Sequence, residues 1–231
     1  MIFKGGKKMK SKKMLGLAMV SLLSVGILGA CGSDDSPSSD SAKEAKSAEN
    51  TTKESVKKEV NSKLLINDND FGKISDNTSN GQNIEIESKQ DYTTNFSDNS
   101  WAGVILSIDK VSVVKTTDIV DYSDNTYNGF VAVHFNVETP QQDISIYPTQ
   151  AKIVTDYGEQ VDDGGIFNFS SWDGDLMKGT KEDGWGIYPL SKLTDANAIK
   201  NLRLNIDSSY ETDDYDDENA YHTYDISLQL Q

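Results

Sequence analysis

Alternation of apolar and polar residues dominates the second half of the chain. The clearest case is 129–139, where Val131, Val133, Phe135 and Val137 share one face and small or polar residues separate them. A period of two is typical of a strand that buries one face. Similar alternation predicts further strands at 104–115, twice within 143–161, as an edge-like pair within 175–190, at 198–206 and at 221–230.

Three local features refine these strands. The alternation changes phase at Asp109-Lys110, which indicates a β-bulge or kink. Tyr157-Gly158-Glu159 predicts a turn between two short strands, and Asp183-Gly184 predicts the turn of the edge-like pair. About seven or eight short strands with no long amphipathic helix predict an all-β sandwich over residues 101–231.

Residues 31–100 lack this pattern. They are rich in Ser, Asp, Lys, Asn, Thr and Gly, and sizeable apolar residues are sparse. Such a composition buries too little apolar surface to offset the entropy lost on ordering. The sequence therefore predicts a disordered polar linker from residue 31 to residue 100, which leads into the β-domain.

The N-terminal residues 1–30 have the three zones of an export signal. Residues 1–13 carry lysines and no acidic residue, residues 14–28 are uncharged and mostly apolar, and the small residues Gly29 and Ala30 follow. The apolar run is shorter than the ~20 residues that a membrane-spanning helix needs. We therefore interpret residues 1–30 as a signal peptide and not as a permanent membrane helix.

The charge of the chain excludes some classes of partner. The formal net charge is −15, and six of the 22 basic residues but none of the 37 acidic residues lie in 1–30. Without that segment the chain has 16 basic residues against 37 acidic ones, a formal charge of −21. Binding to nucleic acid, or electrostatic adsorption to an anionic membrane, requires a basic surface, so neither is expected.

Cys31 is the only cysteine, and it lies where the apolar run gives way to polar chain. The stretch Leu28-Gly29-Ala30-Cys31 resembles the lipobox of bacterial lipoproteins. The resemblance implies that Cys31 is the lipidated first residue of the mature chain and its anchor in the cell membrane, on the extracytoplasmic face. A pair of acyl chains supplies the two hydrophobic signals that stable anchoring needs. No other cysteine remains for a disulfide, a thiol nucleophile or a cysteine zinc site.

Candidate catalytic and metal-ligating patterns are incomplete. Ser55-x-x-Lys58 resembles the nucleophile motif of penicillin-binding enzymes, but the Lys-Thr-Gly motif of that family is missing. The two histidines, His134 and His222, have no G-x-S-x-G nucleophile turn to serve. We predict no catalytic residue, no cofactor, no metal site and no enzymatic activity.

Two further features leave alternatives open. The acidic run 211–218 supplies carboxylates of the kind that calcium prefers, but it lacks the EF-hand spacing, so it is either a solvated hairpin loop or a cation site. Trp101, Trp172 and Trp185 either form a ligand-stacking surface or belong to the core and the edges of the sandwich.

The strands themselves resemble those of a known family. The segments "VILSIDKVSVV", "GFVAVHFNVET", "AKIVTDYGEQV" and "KGTKEDGWGIYPL" follow one another as in the telokin-like, immunoglobulin-like domains of unknown function of Gram-positive lipoproteins, which are related to immunoprotective extracellular antigens. The resemblance implies an immunoglobulin-like β-sandwich, a cell-surface location and no assigned catalytic residue. We therefore expect a non-enzymatic surface module with a protein or cell-envelope partner. The alternative is a small-ligand or cation-binding lipoprotein accessory to an envelope transporter.

Overall fold

The computed structural model describes residues 63–139, 141–164, 167 and 172–231. Within these ranges ten strands form two antiparallel sheets, and the prediction of an all-β protein is confirmed. The strands are β1 Ile86–Asp98, β2 Ile105–Val120, β3 Thr126–Glu138, β4 Ile144–Ile146, β5 Lys152–Thr155, β6 Gln160–Val161, β7 Gly174–Leu176, β8 Lys181–Leu190, β9 Asn201–Ser209 and β10 Tyr221–Gln229. Short 3-10 helices cover Leu65–Asn67, Gly72–Asn77, Gly81–Asn83 and Pro148–Gln150.

The two sheets differ in regularity. The first sheet has the order β1-β2-β3-β8, with long strands that pair almost end to end. In the second sheet β9 is central, because β10 pairs along one of its edges while β5 and then β4 share the other. Beyond these, β6 pairs with β5 and β7 pairs with β4. The second sheet therefore has a broken edge, where short strands end and side chains from several segments meet.

The main hydrophobic core combines the inner faces of the two sheets. Val131, Val133, Phe135 and Val137 of β3 are all fully buried in it, as the alternation predicts. Leu202, Leu204 and Ile206 of β9 and Tyr224, Ile226 and Leu228 of β10 contribute from the second sheet. The period-two pattern of the sequence thus places one face of each long strand in a common core.

A second core lies on the outer face of the first sheet. Leu65, Phe71, Ile74 and Ile84 come from the segment 63–85 and are all 0% exposed. They pack with sheet residues that point away from the main core, namely Val114, Phe130, Ala132 and Ile187. Both faces of β3 are therefore buried over much of its length.

Polar groups tie the segment 63–85 to the end of β2. The side-chain amide of Asn80 donates to the carbonyl of Asp118 at 2.7 Å and its carbonyl accepts from the amide of Val120 at 3.0 Å. The amide of Ser79 donates to the carbonyl of Val120 at 2.8 Å. These hydrogen bonds give the irregular segment partners in the sheet for polar groups that no helix or strand of its own would pair.

The prediction of a disordered linker up to residue 100 is wrong for residues 63–100. Residues 63–85 fold onto the first sheet, and β1 is the edge strand of that sheet, paired with β2 over its whole length. The composition argument fails because it averages over the segment. A few large apolar residues are enough when a preformed apolar sheet face is available to bury them. The β-domain therefore begins before residue 101.

The turn predictions had mixed outcomes. The bulge at Asp109-Lys110 is confirmed by a register shift between Ile108 and Lys110, and the turn at Tyr157-Gly158-Glu159 connects β5 to β6. The predicted turn at Asp183-Gly184 is wrong, because β8 runs through both residues. The chain turns earlier, at 177–180, and β7 and β8 lie at the edges of different sheets.

Several sequence predictions fall outside the described residues. They are the signal peptide 1–30, the lipidation site Cys31, the pair Ser55 and Lys58, and the linker from residue 31 to residue 62. Over the part of the chain that is described, no helix is long and apolar enough to cross a bilayer.

Candidate functional site

The β9–β10 hairpin carries a dense run of acidic residues. Its loop holds six carboxylates, and none of them forms an ion pair with another described residue. They are Glu211, Asp213, Asp214, Asp216, Asp217 and Glu218. We call residues 211–218 the acidic loop. Its negative charge is uncompensated and faces solvent.

Few of these carboxylates have a role inside the loop. Asp217 accepts hydrogen bonds from the Tyr210 hydroxyl at 2.9 Å and from the amide of Asn219 at 2.9 Å, and Asp214 accepts from the amide of Asp216 at 3.0 Å. The bond to Asp217 raises the pKa of the Tyr210 phenol. Asp217 and Asp214 thus shape the loop, and the other carboxylates are exposed to solvent.

An aromatic cluster fixes the base of the hairpin. Trp101 is 5% exposed, and its indole N–H donates to the carbonyl of Asn219 at 2.7 Å. Its ring stacks on Tyr210 at 5.7 Å and on His222 at 5.6 Å, and Tyr224 meets it edge-on. Trp101 and His222 therefore hold the acidic loop in place and do not present a ligand-stacking face.

Two tyrosines next to this base are exposed. Tyr215 lies in the acidic loop with a relative exposure of 102%, and Tyr221 at the start of β10 is 81% exposed. Aromatic side chains are enriched at interfaces, so these two tyrosines make the hairpin a candidate contact surface.

A groove lies beside the acidic loop, at the broken edge of the second sheet. Its volume is about 490 Å³, within the range of small-ligand and side-chain sites, ~300–1,000 Å³. Ile144 of β4, Leu176 of β7 and Met177 are among its lining residues. Ile144 and Leu176 are nearly buried in the main core, and Met177 is 74% exposed. Tyr210 and Glu211, the first residue of the acidic loop, also line the groove.

Asp143 and Asp175 also line the groove. Asp143 accepts from the backbone amide of Lys178 at 2.6 Å. Asp175 accepts from the hydroxyls of Ser145 at 2.6 Å and Tyr147 at 3.2 Å. Burial raises the pKa of the Tyr147 phenol, and the hydrogen bond to Asp175 raises it further, so Tyr147 stays a donor. These bonds fix the position of both carboxylates without neutralising their charge.

His134 lies in the first sheet, away from β10 and its His222. Its Nδ1 is 2.7 Å from Asp109 and its Nε2 is 3.3 Å from Asp183, and its ring meets Trp185 at 4.9 Å. The two carboxylates approach opposite ring nitrogens, so they do not converge on one point with the imidazole. The arrangement orients the histidine and does not form a metal site. Among the described residues no group of three or more His, Asp, Glu or Cys side chains is arranged to hold a metal ion.

The three tryptophans serve packing. Trp172 stacks on Phe135 at 6.0 Å and its N–H donates to the carbonyl of Trp185 at 3.3 Å. Trp185 meets Phe71 edge-on at 5.2 Å. Trp101 has the separate partners described above. Of the two alternatives for the tryptophans, core and edge packing is therefore the one that the structure supports.

The acidic turns that stand apart from the hairpin are structural. Asp68 binds Lys89 at 2.8 Å and the amides of Asp70 and Phe71 at 3.0 Å each. Burial raises the pKa of Asp68, but the bonds from Lys89 and from the Phe71 amide outweigh it, and the pKa falls below the ordinary 3.8. The carboxylate of Asp68 thus holds the segment 63–85 to β1.

Asp121 closes the β2–β3 turn. It accepts from the side chain of Asn125 at 2.9 Å and from the amides of Asn125 and Ser123 at 2.9 and 2.8 Å. The Asn125 side chain contributes most to lowering the pKa of Asp121 below the ordinary 3.8. Its ionised form is therefore stabilised by folding.

This gives a pH-dependent expectation for Asp121→Asn. Because the native pKa is lowered, the stabilisation by ionised Asp121 is complete above the ordinary value of 3.8 and is lost as the pH falls through the native value. Urea unfolding should therefore show a wild-type advantage over the variant that shrinks on acidification below about pH 4. Asp118→Asn, at an exposed carboxylate, is the matched control and should give no such trend. An advantage of Asp121 that is independent of pH would contradict the assignment.

The acidic loop is visible in the sequence, whereas the groove is not. The lining residues of the groove lie in segments far apart along the chain, around residues 143, 176 and 210. They come together because β4 pairs with both β7 and β9. The only local sequence feature that pointed to this region was the acidic run between two predicted strands.

Comparisons with known proteins found structural similarity to two solved structures. No protein-family model matches the chain, and no curated protein matches it significantly. A conserved hypothetical protein from Bacillus anthracis is similar in structure at 11% identity, over 51% of this chain and 91% of that one, with a TM-score of 0.34. A functionally unknown protein from Listeria monocytogenes is similar at 8% identity, over 69% and 93% of the chains, with a TM-score of 0.47. Both scores are low, and the all-β assignment rests on the strands themselves.

Proposed function

We propose that the chain is a lipoprotein anchored in the cell membrane through Cys31, and that its β-domain is a non-enzymatic binding module on the extracytoplasmic face. The observation that carries the proposal is the acidic loop, with six carboxylates that have no ion-pair partner in the described residues and with Tyr215 and Tyr221 exposed beside it. The partner is a protein or another component of the cell envelope. The finer fold that we propose is an immunoglobulin-like, telokin-like sandwich.

A surface that only needs to be solvated does not require its carboxylates and aromatic side chains to be concentrated in one loop. Exposed carboxylates keep an acidic protein soluble wherever they lie, so solubility does not explain their concentration in one loop. Tyr215 and Tyr221 add two exposed aromatic side chains of a type that is enriched at interfaces. Charge gives fast, oriented encounter, and the aromatics give contact energy after docking. The acidic loop and its two tyrosines combine both functions.

The test is partner capture from intact cells by crosslinking and pull-down of the lipidated protein. A loop variant with Asp213→Asn, Asp216→Asn and Glu218→Gln, combined with Tyr215→Ser and Tyr221→Ser, is expected to lose the captured partner. All five side chains are exposed or unpaired, so the fold should be retained, which equal urea midpoints would verify.

Two controls make this result specific. A charge-matched variant with Glu85→Gln, Asp118→Asn and Glu182→Gln removes three exposed carboxylates elsewhere and should capture the same partner as wild type. Cys31→Ala should abolish labelling by a palmitate analogue and release the protein from the membrane. The binding proposal is wrong if the loop variant captures the same partners, and the anchor proposal is wrong if Cys31→Ala remains labelled.

A further inference from the structure

β10 is an edge strand of the second sheet, and half of its backbone groups point away from β9. At the two ends of the β9–β10 ladder, the amide of Leu230 donates to the carbonyl of Lys200 at 2.8 Å and the amide of Tyr210 donates to the carbonyl of Ala220 at 3.0 Å. In an antiparallel ladder, pairs that exchange hydrogen bonds alternate with pairs that do not. The even-numbered residues of β10 therefore bond to β9, and the N–H and C=O groups of its odd-numbered residues point outward.

The outward groups of β10 have no partner in the described part of the chain. β10 is nine residues long and pairs only with β9, without a register shift. Among the described residues, no hydrogen bond reaches the outward N–H and C=O groups. A groove of about 470 Å³ is lined by residues 227–229 of β10 and 93–96 of β1, so there is open space beside the second half of the strand.

The other edge strands of the two sheets carry features that prevent pairing with another chain. β1 has two register shifts, and β8 contains Pro189 and begins with the charged run 181–183. β6 and β7 are only two and three residues long. Irregularity, proline, charge and short length all protect an edge from intermolecular pairing. β10 is long, regular and without proline, and its Asp225 is paired with Arg203 at 2.6 and 2.8 Å.

The buried face of β10 matches that of a second copy when the two strands run antiparallel about a two-fold axis at Ile226. Ile226 then faces its own copy, and Tyr224 faces Leu228. All three residues belong to the main core and are 2–5% exposed. Facing apolar and aromatic side chains of this kind contribute about 0.2–1 kcal/mol for each pair.

The exposed face and the backbone of β10 fit the same register. Thr223 faces Gln229, and Asp225 faces Ser227, so no like charges are opposed. An axis at Asp225 would instead place two carboxylates opposite each other, which is destabilising. With the axis at Ile226, the outward groups of residues 223–229 fall opposite one another, and the two copies exchange about eight backbone hydrogen bonds.

We propose that β10 pairs with β10 of a second copy of this chain, antiparallel and centred on Ile226, so that two copies form a two-fold dimer. The acidic loop precedes β10 in each copy, so the two loops lie at opposite ends of the paired strands. At ~3.4 Å per residue the two copies of Tyr221 are about 34 Å apart, and the charges of the loops do not meet. The dimer goes beyond the proposed function, because it presents two acidic loops at once to a partner with two binding segments.

The first test is thiol crosslinking of the full chain in the membranes of expressing cells. Cys31 is the only cysteine, and in the proposed lipoprotein its thiol is blocked by lipid, so only an introduced cysteine reacts. In the dimer the two copies of residue 227 are about 8 Å apart, against about 34 Å for residue 221. A bis-maleimide with a spacer of about 8 Å should therefore crosslink Ser227→Cys at least about tenfold more efficiently than Tyr221→Cys, and should not crosslink wild type.

The second test removes one outward backbone donor. Ser227→Pro deletes the N–H of residue 227, which does not bond to β9, and proline is tolerated in such a position of an edge strand. Ser227→Ala is the matched control, because it keeps the N–H. Sedimentation equilibrium of the lipidated chain in density-matched detergent should show a dimer dissociation constant at least about tenfold higher for Ser227→Pro and within about twofold of wild type for Ser227→Ala. Similar urea midpoints of the two variants would verify that both fold.

The dimer is supported by crosslinking through residue 227 and not through residue 221, together with a weakened Ser227→Pro dimer. Equal crosslinking at both positions, no crosslinking at residue 227, or a Ser227→Pro dimer as tight as wild type would overturn it. A crosslink from residue 227 to a different protein would assign this edge to a partner strand and also overturn the dimer. Crosslinking of wild type would reveal a free Cys31 thiol and contradict the proposed anchor, while the contrast between residues 227 and 221 above that background would still decide the dimer.

Discussion

Replacing Phe71 with alanine is expected to lower the free energy of unfolding by about 3–5 kcal/mol. Phe71 is 0% exposed, and its ring meets Phe130 and Trp185 edge-on at 5.2 Å each. The Lys89 ammonium lies 4.7 Å from the ring centre. Truncation removes all these contacts and leaves a cavity between the segment 63–85 and the first sheet. The loss would be a large fraction of a typical domain stability of ~5–15 kcal/mol.

Urea denaturation of the full chain measures this loss. Tyr215→Ala is the control, because it removes an aromatic side chain that is fully exposed, and it should change stability by no more than about 0.5 kcal/mol. If Phe71→Ala costs no more than this control, the second core contributes no stability. The segment 63–85 would then behave as the linker that its composition predicts.

Gly184→Ala is expected to destabilise the protein by about 1–3 kcal/mol, through overpacking. A Cβ at position 184 would overlap the indole of Trp172, which is 7% exposed and stacks on Phe135. Glycine in β8 therefore permits the close approach of Trp172 to the sheet. In the absence of that contact alanine would be favoured in a strand, by about 0.5–1 kcal/mol.

A double-mutant cycle separates the two causes. In a Trp172→Ala background the indole is absent, and Gly184→Ala should then cost nothing or be mildly stabilising. Trp172 fluorescence in the single variant should shift as the ring moves toward solvent. An equal loss of unfolding free energy in both backgrounds would show that position 184 needs glycine for its backbone and not for the indole.

Gly184 also illustrates why turns were predicted less well than strands. The dipeptide Asp183-Gly184 is typical of a hairpin turn. The same glycine is equally useful where a large ring packs directly against a strand. Local sequence does not distinguish these uses, because the indole that requires the space arrives from residue 172. Tyr157-Gly158-Glu159 was predicted correctly because Gly158 has a φ of +86°, a local need that glycine meets by itself.

In the candidate site, too, one feature is predictable from local sequence and another depends on residues far apart in the chain. The charge of the acidic loop and its place between two strands follow from residues 198–230 alone. The groove next to it requires Asp143, Asp175 and Glu211 in one place, and these residues are brought together by the pairing of β4 with β7 and β9. Their individual neighbours in sequence carry no sign of this proximity. The acidic loop was therefore predictable from sequence, and the groove was not.

The sequence by itself determined the all-β class and the buried faces of strands such as β3, β9 and β10, because alternation with period two is a local property of an extended chain. Only the tertiary structure decided the fate of the residues before Trp101. Leu65, Phe71, Ile74 and Ile84 are too sparse to form a core of their own. They are buried because Val114, Phe130 and Ala132, on the outer face of the first sheet, provide an apolar surface that no local pattern in residues 63–85 encodes.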